Sequence, residues 1–203
     1  SWRIATDKRE DIGKIVVEEN SPIVAVHSGQ VIEPIGIFYS KKYNLVILHA
    51  LNSINGLEWK MSQKIEQLAK ELDAKEIICI EGVGSTSGSN NAYYISEKNE
   101  KKFAMKTKIS RLNEGIIMGV TASLILNKNL PVSCIFAETS SNLPDSRAAS
   151  KIIEILDRYL GLKVDPKPLL KKAGEFESKI NELLRKSKTA SVQKQKKELS
   201  YLG

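Results

Sequence analysis

Nowhere does the sequence hold an apolar run long enough to cross a bilayer. The longest, around Gly115 to Leu126, is broken by Gly, Thr and Ser and falls short of the roughly 18 to 20 residues that a membrane helix needs. No secretory leader is read either, so the expected location is cytoplasmic. Cysteine is almost missing. The two present, Cys79 and Cys134, sit in apolar, strand-like runs without CxxC or histidine spacing. They are read as buried reduced thiols and not as metal ligands or nucleophiles. Aromatics make up only 6% of the residues, a thin supply for stacking bases. The net charge of +7 is mostly lysine, spread along the chain and thickest after Lys163, so nucleic acid is not the expected partner. A heat-adapted protein with a Lys/Glu surface shows the same balance. No metal and no cofactor is expected.

What the sequence does contain is alternating strand and helix signals over a length of 203 residues, suited to one domain or one domain with a tail. Gly13 to Glu18 and Pro22 to His27 read as strands, and Ile35 to Tyr39 with Asn44 to His49 bracket a hairpin or short connection. Leu57 to Leu72 carries Leu57, Met61, Ile65, Leu68, Ala69 and Leu72 on one helical face. The apolar strand Glu76 to Ile80 follows at once, and a helix of this length between two strands fits a parallel crossover. Glu81 to Asn91 is read as a small-residue loop, Ala92 to Ser96 as a further strand, and Glu97 to Lys102 as a charged turn. The helix Gly119 to Leu126 is too apolar for a surface position, which predicts burial or a subunit contact.

Val132 to Ala137 is a short, β-branched buried strand. Pro144-Asp145 then opens a helix from Ser146 to Leu160, with Asp145 or Ser146 as N-cap, Gly161 as stop, and Ala149, Ile152, Ile153, Leu156, Tyr159 and Leu160 at helical spacing. Alternation of this kind predicts an α/β fold. Short helices are expected over Pro168 to Ala173 and Glu175 to Lys186. The expected organisation is a single α/β domain over 1–186, including C-terminal helices in 166–186, with 187–203 as a flexible basic tail that ends apolar.

In an open α/β sheet, ligands gather at the carboxyl ends of the strands. His27, His49, Glu81 and Glu138 each fall at or beside such an end, and together they are the ingredients of a crevice for proton transfer or for holding a sugar hydroxyl. Gly82 and Gly84 extend it, since small residues let backbone amides approach an anion. Against a phosphate loop stands its context: the segment leads into a strand instead of opening a helix, and no Gly-Lys-Ser/Thr follows. Against catalysis stands the common role of a strand-end glutamate, which caps a neighbouring loop by accepting backbone N–H groups.

Several spaced blocks resemble one family. They are Cys134-Ile-Phe-Ala-Glu-Thr139, Pro144-Asp145 with Ala148-Ala149, the helix through Leu156, Leu160-Gly-Leu-Lys-Val-Asp165, Leu169-Leu170, and Glu175 to Leu183. Val31-Ile-Glu-Pro-Ile-Gly36, Leu45-Val-Ile-Leu-His49 and Ile80-Glu-Gly82 match more loosely. Over Pro22 to Leu184 the chain is similar to the proteasome assembly chaperone 2 family, in particular its archaeal members. That resemblance implies a three-layer α/β/α sandwich like purine nucleoside phosphorylase, here with a helical C-terminal extension and tail, used without catalysis and without a cofactor. It also implies homo-oligomers and proteasome α subunits as partner. In the family, a terminal hydrophobic-Tyr-any motif docks between neighbouring α subunits. Carried over, that role falls on Leu199, Tyr201, Leu202 and Gly203, with Tyr201 third from last, so the terminal carboxylate lies one residue farther from the tyrosine.

The resulting expectation is a non-enzymatic, cytoplasmic, oligomeric assembly chaperone or scaffold. The competing expectation is a binder of, or enzyme on, a nucleoside-like small molecule at the strand-end crevice.

Overall fold

A computed structural model describes residues 10–14, 25–27, 30–32, 34–50, 54–84, 90–139 and 145–167, with 170, 171, 174, 175 and 178 in the segment beyond. The rest of the strands expected near Gly13 and Pro22, the loop 85–89, most of the helices expected over Pro168 to Ala173 and Glu175 to Lys186, and the tail with Leu199, Tyr201, Leu202 and Gly203 lie outside the described residues.

Among the described residues the strands form three sheets. In the first, β1 (Glu10–Lys14), β4 (Ile35–Ser40) and β5 (Leu45–Ala50) lie in the order β1-β4-β5, with antiparallel neighbours. The β4–β5 hairpin turns through Lys41–Asn44, where Tyr43 N–H donates to the Ser40 carbonyl at 3.2 Å and Asn44 takes φ 47°. Asparagine tolerates that left-handed conformation better than most residues. The second sheet pairs β2 (Ala25–His27) with β3 (Gln30–Ile32).

The third sheet has the order β6-β9-β7-β8, from β6 (Ile77–Gly84), β9 (Val132–Thr139), β7 (Ala92–Ser96) and β8 (Ser110–Arg111). Ile77 N–H donates to the Pro131 carbonyl at the start of β6 and β9, and the Thr139 hydroxyl donates to the Val83 carbonyl at their finish. These two strands therefore run in the same direction. Glu138 N–H donates to the Asn91 carbonyl while Ser133 meets Ser96 at the other end, so β7 runs against β9. The sheet is mixed and the fold is α/β. The parallel neighbour of β6 is thus β9, whereas the expected partner, β5, pairs with β4.

Helices are α1 (Glu58–Glu71), α2 (Glu100–Thr107), α3 (Gly119–Leu126) and α4 (Ser146–Leu160). Asp145 caps α4 by accepting the N–H groups of Arg147 and Ala148, both at 3.0 Å, and Gly161 ends it at φ 72°. Its buried face centres on Ala148, Ile155 and Tyr159, one step round from the stripe read in the sequence, while Leu160 at its end is exposed. α2 replaces the expected charged turn. Phe103 and Thr107 are its buried pair, and the Phe103 ring stacks on Tyr94 at 5.2 Å. Past α4, Lys167, Leu170, Lys171, Gly174, Glu175 and Ser178 are helical.

The chain divides into two compact units, Ser1–Cys79 with Tyr94–Ile135, and Ile80–Tyr93 with Phe136–Gly203. In the first, Ile35, Ile54 and Met61 form a core on which Leu48, Leu57, Ile65 and Val120 pack. Glu66 of α1 is buried with Ser62, and neither belongs to the apolar face read from the sequence. One carboxylate oxygen of Glu66 accepts from Asn129 at 3.1 Å, and the other is buried without a hydrogen-bond partner. Buried polar atoms also meet at Ser133, whose hydroxyl contacts Ser96 at 2.8 Å and donates to Glu76. Cys134 is fully buried, but Cys79 is only half-buried.

Candidate functional site

The strand-end residues divide between the two units. His27 closes β2 opposite Gln30, and His49 lies in β5 opposite Gly36, both in the first unit. Glu81, Gly82, Gly84 and Glu138 belong to the second. Glu81, Gly82 and Gly84 are strand residues of β6 and not loop residues, as the sequence had suggested. Pairing with β9 sets their conformation: a side chain at Gly82 would meet the Thr139 methyl at 3.1 Å.

Because neighbouring side chains on a strand point to opposite faces, Gly82 and Thr139 share one face and Glu81 and Glu138 share the other. Two carboxylates therefore project from adjacent strands near the same edge. Glu138 bonds to the next strand over, accepting from the Asn91 N–H at 3.2 Å and from the Tyr93 hydroxyl at 3.2 Å. Asn91 and Tyr93 were not among the residues read as a site. The alternation of Ala92, Tyr94 and Ser96 as buried positions carries the signal that Tyr93 faces the opposite way, toward the carboxylates. The arrangement satisfies a strand-end carboxylate from within the sheet, the role a glutamate commonly takes at such a place.

Among the described residues, no three His, Cys, Asp or Glu side chains group as a metal site, and no helix is long and apolar enough to cross a membrane. A different kind of surface lies in the first unit. Ile116 is 91% and Met118 78% exposed just before α3, and Leu126 at its end is 64% exposed. The apolar helix is buried on one side, through Thr121, Ser123 and Leu124.

A mixed sheet whose strands are separated in the chain by helices, with strand-end carboxylates on one of its faces, defines an α/β protein. The chain belongs to the PAC2 family, whose model matches residues 8–184. It is similar in sequence to an uncharacterised protein of Methanocaldococcus jannaschii, 22% identical over 84% of this chain and 72% of the other. In structure it is similar to Pyrococcus furiosus PbaA, an archaeal homologue of proteasome-assembly chaperone, with TM-score 0.74 and 22% identity over 93% of this chain and 82% of PbaA. It also resembles P. furiosus PbaB, an archaeal proteasome activator, with TM-score 0.64 and 17% identity over 79% of this chain and 76% of PbaB. These structural likenesses carry the fold. The family is the one whose resemblance was read from the blocks around Cys134–Thr139, Pro144-Asp145 and Leu160–Asp165.

Proposed function

We propose that this chain is a non-enzymatic assembly chaperone or scaffold in the cytoplasm, working as a homo-oligomer with proteasome α subunits as its leading partner. The observation that carries the reading is the PAC2 family match over residues 8–184. It is supported by folds shared with a proteasome-assembly chaperone homologue and a proteasome activator. In this reading 1–186 works as one α/β domain, a three-layer sandwich, and 187–203 as a tail. Leu199, Tyr201, Leu202 and Gly203 are the docking end. Several copies in one ring present several tails, and each weak insertion raises the effective concentration for the next.

The test is association with purified α subunits, comparing the full chain with one ending at Ser187. Truncation should reduce retained α subunits at least tenfold. Equal retention removes the tail from the mechanism, and no retention by either chain removes the partner.

A second reading rests on Glu81 and Glu138 sharing a face on adjacent strands: a nucleoside-like ligand held at that edge by its hydroxyl groups. Nucleosides with phosphate should then raise the melting temperature of the wild-type chain and leave that of Glu138→Gln unmoved. A wild-type melting temperature that no such ligand shifts ends this reading.

A further inference from the structure

Cys79 and Cys134 lie far apart in the sequence but level with each other in the sheet. β6 and β9 are neighbouring strands of eight residues each, and they run in the same direction. Ile77 N–H donates to the Pro131 carbonyl at 2.9 Å, and in a parallel ladder an amide bonds to the carbonyl just before the residue opposite it. Ile77 therefore faces Val132, the two strands start level, and the third residue of each is a cysteine. Opposed residues of paired strands put their side chains on the same face. Neighbouring strands lie about 4.7–4.9 Å apart, inside the roughly 4.4–6.8 Å that separates the Cα atoms of a disulfide. Both residues are present as thiols, Cys79 half-buried and Cys134 without exposed surface.

We propose that Cys79 and Cys134 are a modification site for hydrogen peroxide, which converts them to a disulfide between β6 and β9. The Cys79 sulfur attacks one peroxide oxygen and the O–O bond breaks. The other oxygen leaves as hydroxide and takes the thiol proton to become water, so Cys79 becomes a sulfenic acid. The Cys134 sulfur then attacks the Cys79 sulfur, the S–O bond breaks, and the departing oxygen leaves with the Cys134 proton as a second water. Two thiols are oxidised and one peroxide is reduced. Exposure assigns the order, because only Cys79 meets solvent and thiol oxidation follows access. Burial assigns the partner: a second chain or a small thiol cannot reach Cys134, whereas the Cys79 sulfur is already beside it. The Cβ atoms of a disulfide approach to about 3.8 Å, closer than paired strands bring them. The bond is therefore strained and belongs to the readily reduced, reversible kind.

The test treats the full-length folded chain with hydrogen peroxide, alkylates it with iodoacetamide in denaturant, and reads its peptides by mass spectrometry. Wild type should lose both alkylation sites together, yield one peptide pair linked through Cys79 and Cys134, and recover both thiols with dithiothreitol. Cys134→Ser should leave Cys79 as a sulfenic acid that dimedone traps. In Cys79→Ser the Cys134 thiol should be consumed about tenfold more slowly than Cys79 is in wild type, or not at all. Circular dichroism checks the fold of both variants, and should either not fold, the linked peptide of wild type decides alone. A pair linked within one chain supports the proposal. Oxygen added to Cys79 while Cys134 is still alkylated, a disulfide joining two chains, or two thiols that both survive the peroxide each overturn it.

Discussion

Glu138 holds two donors of the next strand, the Asn91 amide and the Tyr93 hydroxyl. Glu138→Gln removes the charge from both bonds and should lower stability by about 1 kcal/mol, read from urea unfolding. Phe103 is fully buried and stacked on Tyr94, so Phe103→Ala should cost about 3–5 kcal/mol by the same measurement. At Asp73 the prediction concerns pH. Its bond to Lys75 at 2.8 Å, and the charge of that lysine, hold the carboxyl below its usual range. A lowered folded-state value means that the pair's contribution is present at neutral pH and is lost as pH falls through that value. Both groups are solvent-exposed, so the effect on stability is small. Lys75→Ala should move the Asp73 carboxyl titration upward, followed by NMR.

Elements bounded by explicit punctuation were legible, and α4 is the clearest. Asp145 supplies the cap and Gly161 the left-handed exit, and the observed helix, Ser146–Leu160, has the expected bounds. Asp145→Ala should cost about 1 kcal/mol in thermal or urea unfolding, since two N–H groups lose their acceptor. α2 was missed because its lysine-rich window offers Phe103 and Thr107 as its only buried positions, and the ring that holds Phe103 comes from β7. β6 was read too short for a related reason. Gly82-Val83-Gly84 has little strand preference of its own, and its extension depends on β9 alongside. Glu66 sits on the buried side of α1 against Asn129 of the turn after α3, a partner that helical periodicity does not report. Of the candidate crevice, the sequence placed Glu81 and Glu138 at or beside strand ends, and their common face comes from the pairing of β6 with β9. The sequence reading did not include Asn91 and Tyr93, which reach Glu138 through strand order.

For the whole molecule, the family was legible because its blocks are spread from Val31 to Leu183, and the match over residues 8–184 covers them. The sheet order was not, since which strands become neighbours depends on contacts far apart in sequence. One such contact has a bearing on how the chain folds. The Ser96 and Ser133 hydroxyls meet inside the sheet, and Ser133 also donates to Glu76. Were β7 to slip by a single residue along β9, Ile95 or Glu97 would take the place of Ser96, turning every side chain to the wrong face. The stranded hydroxyls would add a penalty of about 1–3 kcal/mol each. Ser96, Ser133 and Glu76 thus favour the native alignment of β7 on β9 over a shifted one.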